Sequence, residues 1–223
     1  MIDPQNITDF DRDLEELEEF LLFGILVAGG KSSIAAKAVN DLVARLKITW
    51  NNEVYRQIND PRISLMRRLS DYVCVSVLGT DMLPSEFLAG KFKKMGIRWH
   101  NQKAKSVIRL METLYPMGGL DVLALATKPL EVIEKLPGVG RKTARFFILH
   151  SRRGADCAVL DTHVLKYLRD SGVPNVPKST PSSKSEYERL SKEFMLLKPD
   201  SVSLAEFDLK IWKMYASGYK ATV

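Results

Sequence analysis

The chain has 223 residues, enough to bury a substantial core as one large domain or two small ones. Its 33 Lys and Arg outnumber its 27 Asp and Glu, and the net charge of +6 with a pI near 9.2 favours a polyanionic partner. No apolar run reaches the length of a membrane span and Met1-Ile2-Asp3-Pro4 is no signal peptide, so a soluble intracellular protein is expected, cytoplasmic and close to the nucleoid if its source is prokaryotic.

Nearly every segment carries apolar residues at helical spacing and none alternates with period two, so an all-α fold is expected. Asp9 to Ala28 begins acidic, which suits the positive end of a helix, and becomes amphipathic. Ser32 or Ser33 caps a second pattern, Ile34 to Leu46, and Pro61 and Ile63 open a third that runs to Leu78. Pro84 and Ser85 start a short helix ended by Gly96. Asn101 to Leu114 is a strong pattern with lysines on its outer face, stopped by Pro116 and Gly118-Gly119. Short helices lead through Glu131 to Leu136 into the turn Leu136-Pro137-Gly138-Val139-Gly140, after which Arg141 to His150 is again helical. Beyond Leu160-Asp161-Thr162-His163 a helix reaches about Arg169. Gly172 to Ser183, with Pro174, Pro177 and Pro181, reads as an exposed connection, and helices from Ser185 to Leu197 and from Ser203 to about Ser217 finish the chain.

The turn is chemically suggestive. Gly138 and Gly140 allow positive φ and the close approach of another chain, and the helix behind them points its first N–H groups at whatever sits there. Those groups favour an anion. In a basic protein this is a place to hold a phosphodiester, with Gly138, Val139, Gly140, Arg141 and Thr143 as the gripping residues.

Leu136-Pro137-Gly138-Val139-Gly140-Arg141-Lys142-Thr143-Ala144, followed by Leu160-Asp161-Thr162-His163, resembles the helix-hairpin-helix motif and catalytic aspartate of the endonuclease III superfamily of DNA glycosylases. The resemblance is strong over residues 96–170 and architectural elsewhere. It implies a single domain, 1–223, made of two helical subdomains with the substrate cleft between them. One is a bundle of about six helices, residues 31–150, ending in the hairpin at 131–150; the other combines residues 1–30 and 151–223. The implied partner is double-stranded DNA carrying a damaged base, bound by a monomer. Many relatives hold a [4Fe–4S] cluster on four cysteines after the last helix. This chain has only Cys74 and Cys157, which read as reduced, buried thiols, so no cluster and no metal ligand set is expected. A monovalent cation on hairpin carbonyls remains open.

The resemblance also assigns roles. Lys142 is the implied nucleophile, attacking the anomeric carbon to give a Schiff base that permits β-elimination; its amine must be neutral to attack, and the positive helix end and Arg141 disfavour a second cation there. Asp161 is the implied partner, stabilising an oxocarbenium-like transition state, and as a lone Asp opening a helix it reads as an N-cap too. His163 reads as helix support. The target base must be flipped out and the gap filled. In the family the filling side chain comes from a loop that here is Gly96-Ile97-Arg98-Trp99-His100, about two residues longer than in endonuclease III. Ile97, Arg98, Trp99 and His100 are therefore wedge candidates, although Trp99 reads equally as core packing and Arg98 as a phosphate contact. Lys91, Lys93, Lys94, Lys103 and Lys105 would add salt-dependent affinity for DNA.

Two departures from endonuclease III bear on the substrate. Val27-Ala28-Gly29-Gly30-Lys31 stands where that enzyme has a glutamine-bearing segment, and Phe207-Asp208-Leu209-Lys210-Ile211-Trp212-Lys213 resembles the L-D-L-x-L-W segment of compact prokaryotic 8-oxoguanine DNA glycosylase/AP lyases. By that likeness Asp208 and Trp212 line the base pocket, Trp212 stacking on a flipped purine, and Lys220 near the end of the chain contributes to it. Trp212 reads equally as core packing. The expected activity is a base-excision glycosylase with lyase activity on 8-oxoguanine. The alternatives are a glycosylase/lyase for oxidised pyrimidines, a monofunctional glycosylase in which Lys142 only contacts DNA, and a non-catalytic DNA-binding module.

Overall fold

The computed structural model describes residues 1–50, 64–117, 119–120 and 122–217, so Pro61, Ile63, Gly118 and Lys220 lie outside the described residues. Among the described residues there are eleven α-helices and no strand, the all-α fold expected. They are α1 (Leu14–Val27), α2 (Ser32–Trp50), α3 (Leu65–Val77), α4 (Pro84–Lys94), α5 (His100–Leu114), α6 (Val122–Thr127), α7 (Pro129–Ile133), α8 (Arg141–Ser151), α9 (Thr162–Asp170), α10 (Lys184–Leu196) and α11 (Leu204–Ala216). A 3₁₀ turn, Tyr115–Met117, follows α5. Among the described residues no helix is long and apolar enough to cross a membrane.

Side-chain caps set several of the boundaries. Asp13 and Glu16 form a capping box that starts α1, Ser64 caps α3, Ser183 caps α10, and Ser203 with Glu206 boxes α11. α1 therefore starts five residues after Asp9, because Asp13 supplies the acceptor that its first turn needs.

The chain divides into two compact units. Unit 1 comprises Met1–Ile7 and Arg12–Val139. Its centre is α1, buried over Leu17 to Leu26, which packs against α2, α3 and α5. This differs from the expected grouping of residues 1–30 with the carboxy-terminal helices: α1 is apolar nearly all round, and elements of its own unit take up its faces. Unit 2 comprises Thr8–Asp11 and Gly140–Val223, so it contains α8, which was expected in the central bundle. In it α9 and α11 pack together, with Tyr167, Phe194, Phe207 and Tyr215 in edge and stacked ring contacts.

Two expectations fail on burial. Cys74 is exposed, since it lies next to Val73 and off the buried stripe of α3; only Cys157 is buried. Lys103 is buried at 6% exposure, not on the outer face of α5. Its ammonium donates to Leu26 O at 2.6 Å and so satisfies a carbonyl at the C-terminal end of α1, where a cation is favoured.

A buried acid ties unit 1 together. Glu18 Oε2 accepts from Met66 N (2.9 Å) and Oε1 from Leu120 N (3.0 Å), with Arg68 also acting on it. Burial outweighs these partners and raises its carboxyl from 4.5 to about 7. Between those values the unfolded chain has lost the proton and the folded one has kept it, so stability falls as pH rises. The loss attributable to Glu18 is at most about 3 kcal/mol. Glu18→Gln gives up one backbone acceptor, costing about 1 kcal/mol at low pH, but removes this slope. Urea unfolding near pH 5 and near pH 8 should show the stability advantage of the wild type over Glu18→Gln narrowing at the higher pH; an advantage that grows would contradict the assignment.

Candidate active site

The turn that opens α8 is built as the sequence suggests, with one correction. Gly138 has φ 79°, and a Cβ there would collide with the side chain of Ser106 on α5. Gly140 is extended (φ −91°, ψ 172°), so it needs no left-handed freedom, and a Cβ there would meet nothing within 4 Å. The turn is closed by Val139 N donating to Leu136 O (3.1 Å). The division between the units falls in this turn, between Val139 and Gly140.

Gly140 is the N-cap of α8 and supplies no side-chain acceptor, and the first turn holds Arg141 and Lys142 with no acid. Elsewhere α1, α10 and α11 place glutamates in the first turn. Two cations at the positive end of an uncapped helix oppose the helix dipole at a cost of about 0.3–1 kcal/mol each. An arrangement that violates local preference in this way fits an external anion better than it fits folding. Lys142 is half-buried; Arg141 donates to Ser182 O (3.2 Å) and Thr143 is buried.

Asp161 is the N-cap of α9. Its Oδ1 accepts from both His163 N and Val164 N at 2.8 Å, so Oδ2 takes no part in the cap. The approach to Asp161 is fixed by residues that the sequence did not single out. Tyr187 is fully buried; its hydroxyl accepts from Leu160 N (3.1 Å) and donates to Ala158 O (3.1 Å), and burial pushes it up to about 12, so it stays protonated. Thr180 Oγ1 donates to Leu160 O (2.8 Å), and Arg169 reaches Pro177 O (2.7 Å). The Pro-rich loop 172–183 is thus more than a surface connection: it braces the strand-like approach to the aspartate. No local signal marks Thr180 or Tyr187, because each acts on a segment at least 20 residues away.

Asp208 on α11 is buried at 6% exposure, and burial raises its carboxyl above the ordinary range. His150 partly offsets this by hydrogen bonding, Asp161 adds to it, and Lys142 opposes it. Asp208 is therefore within electrostatic reach of both Asp161 and Lys142, and all three belong to unit 2. Trp212, one turn along α11, is half-buried with its ring edge-on to His163 at 6.3 Å.

The expected wedge loop belongs to unit 1. Ile97 is 4% exposed and is committed to the core. Trp99 is 51% exposed and left-handed (φ 55°), a strained conformation for an aromatic residue, and its ring lies against Gly29, where any Cβ would collide with it. Arg98 covers that ring at 4.6 Å and reaches Gly29 O (3.4 Å). Gly29 thus makes room for Trp99. His100 is the first residue of α5 and is half-buried. Among the described residues no group of three or more His, Cys, Asp or Glu could hold a metal ion.

Comparison with known proteins places this geometry. The family model for 8-oxoguanine DNA glycosylase matches residues 76–199. No curated protein matches the chain. Among solved structures, the 8-oxoguanine glycosylase/lyase of Methanocaldococcus jannaschii in complex with 15mer DNA containing 8-oxoguanine is similar at 19% identity and TM-score 0.59, covering 98% of this chain and 89% of that one. The 8-oxoguanine DNA glycosylase of Thermotoga maritima is similar at 19% identity and TM-score 0.58, covering 97% and 88%. A second structure of the M. jannaschii protein gives a TM-score of 0.64 at 18% identity over 96% and 84%. At these identities the structures carry the fold alone.

Proposed function

We infer the reaction on the footing that the chain belongs to the 8-oxoguanine DNA glycosylase family: it excises 8-oxoguanine from duplex DNA and then cleaves the strand through a lysine Schiff base. The observation that carries this reading is the pair of helix starts: Lys142 in the first turn of the uncapped α8, and Asp161 heading α9 with Oδ1 alone spent on the cap.

The N–H groups at the start of α8, with Arg141 and Thr143, hold a backbone phosphate. The Lys142 amine attacks the anomeric carbon as the bond to the base breaks, and the base leaves with a proton. Asp161 Oδ2 stabilises the oxocarbenium-like charge that develops meanwhile. The second nitrogen proton passes to the ring oxygen O4′ as the C1′–O4′ bond breaks, which opens the sugar and gives the imine; removal of a C2′ proton from the protonated imine then expels the 3′ phosphate. Asp208 and Trp212 serve the base, Trp212 as a stacking face, and Lys220 is the further pocket residue. Trp99 or His100 fills the gap left by the flipped nucleotide, with Arg98 on the backbone. The protein acts as a monomer without a redox group.

Purified protein given duplexes with 8-oxoguanine or thymine glycol tests the substrate. Release of 8-oxoguanine should be faster by about 10²-fold or more. Preference for thymine glycol would move the substrate to oxidised pyrimidines, and DNA binding without release of either base would leave only a binding module.

A further inference from the structure

A buried polar chain in unit 2 ends on Asp208 and brings in two residues that the reaction just described does not use, His150 and Thr8. His150, at the end of α8, is completely buried. Its Nε2 lies 3.2 Å from Asp208 Oδ2 and its Nδ1 lies 2.9 Å from Thr8 Oγ1. Thr8 is carried in by the amino-terminal segment, which is secured there by Asp9 N donating to His150 O (3.1 Å) and by Arg153 on both carboxylate oxygens of Asp11 (3.0 and 2.8 Å). The other oxygen of Asp208, Oδ1, is buried and has no hydrogen-bond partner. Thr8 and His150 lie 142 residues apart and His150 and Asp208 58, so no local pattern links them.

The hydrogen-bond chemistry restricts this chain. The Thr8 hydroxyl can donate to Nδ1 or accept from it, so the ring can hold Oδ2 through either tautomer: Nε2–H donates to a carboxylate, or a carboxyl O–H donates to Nε2. A buried carboxylate oxygen without a donor is costly, whereas the carbonyl oxygen of a neutral carboxyl costs less. The charged and titratable groups facing Asp208 are His150 and Lys142 from α8 and Asp161 at the head of α9; Cys157 and Tyr187 sense its charge in turn.

We propose that His150 is a positioning residue of the reaction centre: braced by Thr8, it fixes the rotamer of Asp208 and sets the protonation of its carboxyl through their hydrogen bond, so that this carboxyl holds one orientation and one charge state during base release. This deepens the reading of Lys142 and Asp161 given above and rests on it for its catalytic consequence.

Two measurements on the full chain test it. The first is the pH profile of single-turnover 8-oxoguanine release for wild type, His150→Gln and Thr8→Val. Glutamine can reach Oδ2 but cannot take up or give a proton there; valine keeps the shape of Thr8 and removes the hydroxyl that holds Nδ1. His150→Gln should slow release about tenfold or more at neutral pH and displace a limb of the profile, and Thr8→Val should displace the same limb by less. The second is the ¹³C carboxyl titration of Asp208 in the free protein, which needs no activity. Lys142→Gln should move it to higher pH and Asp161→Asn to lower pH.

An unmoved pH profile in both variants overturns the proposal, even if they are less stable or slower. An Asp208 titration indifferent to Lys142→Gln and Asp161→Asn overturns it too. If wild type releases no 8-oxoguanine, the reaction assigned to Lys142 and Asp161 fails, and the carboxyl titration still decides whether the pair is coupled to them.

Discussion

Lys142→Gln is expected to abolish strand cleavage and to lower 8-oxoguanine release by about 10³-fold or more, as loss of a covalent nucleophile does. The fold should not suffer. Lys142 is half-buried in the first turn of α8, where no side chain caps the helix and no acid offsets Arg141. Glutamine keeps a long, helix-compatible side chain and removes a cation from the positive end, so stability should hold or rise by about 0.3–1 kcal/mol. Thermal unfolding and single-turnover release on the same preparations separate the two effects. Release that survives with cleavage lost would make the protein a monofunctional glycosylase in which Lys142 contacts DNA.

Asp161→Asn should be almost as damaging to chemistry and as harmless to structure. Oδ1 accepts both cap bonds of α9, and asparagine caps a helix about as well as aspartate. Only the negative charge is lost. Replacing it with a neutral amide should cost roughly 3–4 kcal/mol of transition-state stabilisation, a drop in base release of about 10²–10³-fold, with stability unchanged to within about 0.5 kcal/mol. Asp161→Ala, by contrast, loses the cap as well and should be less stable by about 1 kcal/mol. If Asn and Ala lose activity equally and only through instability, Asp161 is a cap and nothing more.

Sequence reading reached the helices, because their boundaries are written in local chemistry. Asp13, Ser183, Asp161 and Ser203 all sit at the heads of the helices they cap. Lys142 and Asp161 were legible because each sits in a contiguous motif. What escaped was set by distant neighbours. Lys103 shares the helical spacing of the buried residues Val107, Leu110 and Leu114, but its charge makes it read as outer, and the carbonyl of Leu26, 77 residues away, is what lets it be buried. Ile97 and Trp99 were equal candidates in sequence, yet one is buried while the other stands out on the space left by Gly29. Tyr187 and Thr180 brace the approach to Asp161 across the Pro-rich loop, and His150 meets Asp208 and Thr8 through the packing of unit 2. Such residues act through tertiary proximity, which no single-sequence pattern carries.

The most direct test is borohydride trapping of the wild-type protein on a duplex containing 8-oxoguanine, followed by peptide mapping of the adduct. A Schiff-base enzyme with this site gives a covalent protein–DNA adduct, carried on Lys142. An adduct on another lysine, or none while 8-oxoguanine is still released, would contradict it.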